Sequence, residues 1–330
     1  MAPLRIGILG AARIVPVALL TPARSVPEVA IAAVAARDPR RAKAFAARHG
    51  IPRVLGGYDE LVEDPGIDAV YNPLPNALHC VWTLRALRAG KHVLCEKPLA
   101  SNAAEAEEMA QAAEVGGRVL MEAFHWRHHP LAARMIALAT DGTLGQVRRI
   151  ETNMCVPLML PGNIRYDYAL GGGATMDTGC YAVHMLRHLA GAEPEVTRAE
   201  ARLSSPKVDR AMTAEVAFAD GRTGRVRCSM FSWRLLDISA RVVGDNGEMR
   251  VFNPVAPQFY HRLHVRTAEG KRDERVPGRS TYEHQLRAFA ECVTKGSPVL
   301  TSARDGVANM RVIDRIYEKA GLPLRGQMVR

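Results

Sequence analysis

The 330-residue sequence predicts an α/β protein, with a doubly wound parallel sheet over residues 1–122 and an α+β domain with a mostly antiparallel sheet over residues 123–330. Three observations carry the prediction. Short apolar strand patterns alternate with helix patterns as far as Glu122, the order expected of parallel strands joined by crossover helices. A glycine turn separates the first strand from the first helix. Beyond Ala139 the segments become longer and strand-like, divided by turn signals at Asp220-Gly221 and Asp245-Asn246-Gly247.

Taken in order, Ile6 to Leu9 reads as a buried strand, Gly10 to Ala12 as a tight turn, and a helix is expected from about Arg13. Val29 to Ala35 is a second strand. Asp38 then caps a helix with Pro39 at its first position, and His49-Gly50 stops it. Val54 is a brief strand, Tyr58 to Glu63 a short helix, Ala69 to Tyr71 a strand, and His79 to Ala89 a helix ending at Gly90. Lys91 to Cys95 is a strand. Asn102 and Glu105 resemble a capping box for a helix to about Val115, and Arg118 to Glu122 closes the parallel unit. Pro130 to Ala139 is helical. Strands are expected at 147–155, 196–203, 213–219, 225–232, 238–244 and 248–252. A helix is embedded at 176–189, and helices at 282–293 and 303–320 close the chain and are expected to pack back on the first domain.

A hydrophobic content of 48% supplies a core without disulfides or structural metal. The six cysteines are scattered and form no C-x-x-C pair, which points away from a zinc site and toward a reducing, cytoplasmic compartment. No signal-peptide pattern or membrane-length apolar run is read. The net charge of +10 is dispersed and aromatic content is 5%, which argues against nucleic acid as a partner.

The first glycine turn is an imperfect dinucleotide fingerprint, with Gly10, Ala12 and Val15 where three glycines would stand. The helix entry at Arg13 and Ile14 would offer free N–H groups to a pyrophosphate. After the second strand the chain reads Ala36-Arg37-Asp38, with Arg40 and Arg41 following. Ala36 brings no carboxylate to repel a phosphate, and the arginines suit a 2′-phosphate, so NADP is expected before NAD. Pro73-Leu74-Pro75-Asn76-Ala77-Leu78-His79 makes a rigid turn at the same sheet edge, placing Leu74, Pro75, Asn76 and His79 in the cofactor groove. Glu96-Lys97-Pro98 ends another strand. A lysine there points to the ligand crevice of a doubly wound sheet and can assist proton transfer.

Four segments together resemble the glucose–fructose oxidoreductase/inositol dehydrogenase/rhizopine-catabolism (Gfo/Idh/MocA) family: 7–14, 75–79, Glu96-Lys97-Pro98, and Gly171 to Gly179. Within it, Ala35 to Asp38, 93–98, 142–145 and Asp177 to Tyr181 resemble the branch of dimeric dihydrodiol dehydrogenases and NADP-dependent sugar dehydrogenases. Tyr181 stands where many members have histidine. The resemblance implies a Rossmann domain, then an α+β domain whose large open sheet serves as a subunit interface in a dimer or tetramer. It implies hydride transfer between nicotinamide and a carbon bearing a hydroxyl or carbonyl on a sugar, cyclitol or dihydrodiol.

On that footing Tyr181 exchanges the substrate proton, Lys97 assists it, and Asp177 orients the substrate hydroxyls or Lys97; no metal is required. Glu96, Lys97, Trp126 and Arg127 join the cofactor set. Arg165, Tyr166, His184 and Tyr282 join Lys97, Asp177 and Tyr181 as substrate-binding candidates. Two rivals are a nicotinamide-dependent glycosidase of the same fold and a non-catalytic NADP-binding sensor.

Overall fold

The structure, a computed structural model, describes residues 2–158, 162–231 and 233–326. The chain divides into two compact units, one of residues 1–100, 104–128 and 282–307, the other of residues 101–103, 129–281 and 308–330.

The first unit begins with strand β1 (Leu4–Leu9), a π-helical turn Pro16–Leu20 running into α1 (Thr21–Ala23), and β2 (Val29–Ala35). The helical segment starts at Val15, two residues after the expected Arg13. Helix α2 (Pro39–His49) has the expected cap, the Asp38 side chain accepting from the Arg40 amide at 2.9 Å. Then come α3 (Tyr58–Glu63), β3 (Ala69–Asn72), α4 (His79–Arg88), β4 (His92–Cys95), α5 (Ala103–Val115) and β5 (Leu120–Glu122). Val54 makes only an isolated parallel bridge to Val34. The five strands form a parallel sheet in the order β2-β1-β3-β4-β5. The order switches between β1 and β3, and ligands of such sheets bind at the carboxyl ends of the strands flanking the switch.

The second unit holds α6 (Pro130–Thr140), β6 (Val147–Cys155), a π-helical turn Thr175–Gly179 leading into α7 (Cys180–Ala190), and strands β7 (Glu195–Ser205), β8 (Val208–Ala217), β9 (Thr223–Ser229), β10 (Asp237–Gly244), β11 (Gly247–Phe252), β12 (Arg262–Thr267) and β13 (Gly270–Glu274). Strands β12 and β13 were not expected from the sequence. The eight strands run β13-β12-β11-β10-β6-β9-β8-β7, antiparallel throughout except for the parallel pair β6/β9. Helix α7 packs on β6 and β9, and Thr152 Oγ1 donates to the Ala182 carbonyl at 2.8 Å. One register row is polar across the whole sheet: Arg198, Glu215, Arg225, Glu151, Arg241, Arg250, His264 and Asp273. Opposite charges on neighbouring strands support one another.

Helix α8 (Thr281–Lys295) brings Leu286, Phe289, Ala290 and Cys292 into the core cluster of the first unit, among Ile6, Ile8, Val34 and Leu94. Helix α9 (Ala303–Lys319) follows. The six cysteines are buried and unpaired. No helix among the described residues is long and apolar enough to cross a membrane.

Candidate active site

In the first unit the candidate residues gather at the carboxyl ends of β1, β3 and β4. Gly10 ends β1 with φ +90°, and a Cβ there would lie 3.0 Å from Leu74 Cδ2. Only glycine accepts both the conformation and the close approach. The amides of residues 11–14 donate to no group among the described residues, and neither do the side chains of Arg13, Arg37 and Arg41. Asp38 is committed to the α2 cap. Free amides and unpaired guanidiniums beside a glycine turn form an anion-accepting donor set, so these residues fit a phosphorylated dinucleotide. Ala12 and Ile14 are partly buried against the core.

The loop after β3 is tied from within. Asn72, fully buried, donates Nδ2 to the His79 carbonyl at 3.2 Å and to Thr83 Oγ1 at 3.1 Å, and its Oδ1 accepts from the Leu74 amide at 3.4 Å. His79 faces two carbonyls, Pro98 O at 2.9 Å from Nδ1 and Leu74 O at 2.8 Å from Nε2. Burial lowers its pKa, with the Lys97 charge adding to the effect. Its ring therefore joins the Leu74 loop to the Lys97 corner and has no nitrogen left for a ligand. Pro75 precedes a short 3-10 turn, Asn76–Leu78, and Asn76 is partly exposed.

The Lys97 corner is held at three points. The Tyr71 hydroxyl donates to Glu96 Oε1 at 2.7 Å, the His79 ring meets Pro98 O, and the buried Glu122 accepts from the Leu99 amide at 2.7 Å. The Lys97–Pro98 peptide is cis. Lys97 itself is half-buried. Burial pushes His125 down to about 3, with Lys97 contributing, so the imidazole stays neutral. Its ring packs on Tyr282 with centroids 4.0 Å apart. Burial, then Glu96, raises the Tyr282 phenol. Trp126, expected at the cofactor, is completely buried. Arg127 is half-buried, has its pKa lowered by burial, and leaves Nε unsatisfied.

In the second unit Asp177 lies in the π turn and Tyr181 in the first turn of α7. Arg165 Nε lies 2.9 Å from Asp177 Oδ1, an ion-pair distance without hydrogen-bond alignment. The Tyr166 hydroxyl donates to the Leu158 carbonyl at 2.6 Å, and its pKa is raised by burial and then by Asp177. Tyr181 is buried and His184 completely so, the latter tilted against His188 with ring centroids 4.2 Å apart. Sequence reasoning missed what lies behind this turn: the buried Asp209, Tyr317 and Arg325, joined to Thr175 and Gly172 by hydrogen bonds. It missed Asn72 and Glu122 as well. No local pattern marks them, because each acts on a segment distant in sequence.

The comparisons agree with this architecture. A family profile described as an oxidoreductase family with an NAD-binding Rossmann fold matches residues 4–124, and one for the GFO/IDH/MocA C-terminal domain matches residues 132–250. The chain is 36% identical to D-xylose 1-dehydrogenase (NADP(+)) 2 of Haloferax volcanii over 95% of this chain and 96% of that protein. It is 31% identical to trans-1,2-dihydrobenzene-1,2-diol dehydrogenase of Sus scrofa, over 83% and 84% of the two chains. Among solved structures it is similar to a 3-ketoreductase from Actinomadura kijaniata in complex with NADP and TDP-benzene, with TM-score 0.89 and 29% identity over 96% and 98% of the chains. Both sheets, both profile matches and full-length relatives point one way: the chain belongs to the Gfo/Idh/MocA family of oxidoreductases.

Proposed function

We propose that this protein is an NADP-dependent oxidoreductase acting on the hydroxyl or carbonyl carbon of a sugar, cyclitol or dihydrodiol, with Tyr181 as proton donor and acceptor and Lys97 assisting. The observation that carries the reading is the Lys97 corner. Glu96, His79 and Glu122 fix it at the carboxyl end of β4, next to β3 and on the same sheet edge as the switch point where ligands of such sheets bind. Solved variants of the Actinomadura ketoreductase support the pairing. One replaces a tyrosine and others a lysine, with the same chain separation as Lys97 and Tyr181. The relatives' names support the cofactor and the substrate class.

Bound NADP would supply the hydride acceptor or donor. The first domain would hold its phosphates with the amides of residues 11–14 and with Arg13, Arg37, Arg41 and Arg127. Tyr181 Oη takes the substrate hydroxyl proton during oxidation and returns it during reduction. The Lys97 ammonium donates to the same substrate oxygen and favours the negative charge that grows there. Asp177, balanced by Arg165, accepts from neighbouring substrate hydroxyls. The eight-stranded sheet of the second domain is proposed to join two copies in a homo-oligomer. The six buried thiols suit a reducing, cytoplasmic setting.

A panel of aldoses, keto-sugars and trans-dihydrodiols, assayed with NADP and NADPH by reduced-nicotinamide absorbance, tests the activity by net cofactor turnover. Lys97→Met and Tyr181→Phe should each lower kcat about 100- to 10,000-fold while NADPH binding stays within about threefold. Wild-type kcat in either variant removes that residue's role.

A further inference from the structure

A single buried network stands behind the turn that carries Asp177 and Tyr181. We propose that Asp209 and Arg325 are positioning residues for the reaction, acting through the backbone of residues 172–177; this rests on the reading of Asp177 and Tyr181 given above. Both side chains are 0% exposed. Asp209 Oδ2 accepts from the Thr175 amide and from Thr175 Oγ1, each at 2.7 Å. Its Oδ1 accepts from the Tyr317 hydroxyl at 3.0 Å and from Arg325 Nη2 at 3.1 Å. Arg325 gives its Nε to the Gly172 carbonyl at 2.8 Å and Nη1 to the Pro323 carbonyl at 2.7 Å. Its guanidinium carbon lies 4.1 Å from the Tyr317 ring centre.

The two side chains thus grip both ends of the segment 172–175. From there the backbone leads to the reactive groups. The Gly173 amide donates to the Arg165 carbonyl at 2.8 Å, and the Gly173 carbonyl accepts from the Asp177 amide at 3.0 Å. Gly173 has φ +138°, and a Cβ there would fall on Asp209 Oδ1, so the glycine run is shaped to the carboxylate. The segment that carries Arg325 is secured in turn: the Tyr168 hydroxyl donates to the Leu324 carbonyl at 2.6 Å and Asn102 Nδ2 to the Arg325 carbonyl at 2.8 Å.

A buried ion pair is weak support for stability, since apolar side chains of equal volume do as well. What the charged fork supplies and apolar packing cannot is a fixed height and direction for the segment. A displacement of about 1 Å at reacting groups can cost about 100-fold in rate.

The test compares Asp209→Asn and the milder Thr175→Val with wild type, as full-length proteins. The assay uses D-xylose with NADP, or the panel sugar that ranks first. NADPH affinity, read by fluorescence, should stay within about twofold, because the network includes none of the residues assigned to the cofactor. We expect kcat to fall about 100-fold in Asp209→Asn and about 10-fold in Thr175→Val, with smaller changes in KM. A role confined to folding would lower the melting temperature and leave kcat of the folded fraction unchanged; that result in Thr175→Val overturns the proposal even where Asp209→Asn does not fold. Tyr181→Phe is measured alongside. Full activity there sinks the reading of Tyr181 and this proposal with it, whereas an inactive Tyr181→Phe beside a fully active Thr175→Val sinks the positioning role alone.

Discussion

Arg37 is the side chain we propose to decide between two cofactors. The residue before it, Ala36, is buried, and the one after it caps a helix, so neither can approach a ribose as a free acid. A guanidinium that is exposed, and unpaired among the described residues, is what remains after β2. Arg37→Ser should weaken NADPH binding about 10- to 100-fold, the worth of one or two hydrogen bonds to a charged group, and change NADH binding less than about threefold. Titration of nicotinamide fluorescence checks this, and equal losses for both cofactors would assign Arg37 to general electrostatics. The helix entry beside Arg37 was legible in the sequence because it is local: the cap, the proline and the arginine are neighbours. Asp209 and Arg325 were illegible for the opposite reason. They meet across 116 residues, and nothing near either one announces the partner.

Among the elements, edge strand β13 shows best why sequence patterns fail. Its residues Gly-Lys-Arg-Asp-Glu include no apolar side chain, so alternation gives no signal. Polar contacts hold it instead. Arg134 on α6 grips Glu274 with two hydrogen bonds, at 2.6 and 2.8 Å. The hydrogen bond from Arg134, opposed by burial and helped by Arg272, holds Glu274 at about 2. That lies below the ordinary value of about 4.3, so the contribution is complete above that pH and is lost as pH falls toward 2. Arg134 is about a third exposed, and water screens the pair. Glu274→Gln should therefore lower unfolding free energy by about 1 kcal/mol at neutral pH, with the difference vanishing near about pH 2. Urea melts at several pH values measure it; a deficit independent of pH would mean the carboxylate charge is irrelevant. By contrast, every strand of the parallel sheet was readable, since burial on both faces writes continuous apolar runs. The π turns at Pro16–Leu20 and Thr175–Gly179 were not, because a helix pattern does not reveal where its winding loosens.

For the whole molecule, the sheet of the second unit presents its charged row together with exposed Trp233, Leu235, Leu236, Phe259 and Tyr260 in neighbouring segments. Apolar side chains left in water beside a charged row favour pairing with a second copy. Sedimentation should show a species larger than one chain, and Leu236→Glu should shift it toward monomer at the same protein concentration; an unchanged distribution would move the interface elsewhere. Another property of the molecule comes from helix α8. Leu286, Phe289 and Ala290 complete a core whose other walls, Ile6 and Ile8 among them, belong to the opening strand. During synthesis the ribosome delivers that strand first and the helix after roughly 270 further residues, about 14–55 s later at ordinary elongation speeds. Until then the nascent nucleotide-binding unit exposes an open apolar seam, so a chaperone that shields early translation intermediates has a built-in period of demand in this polypeptide.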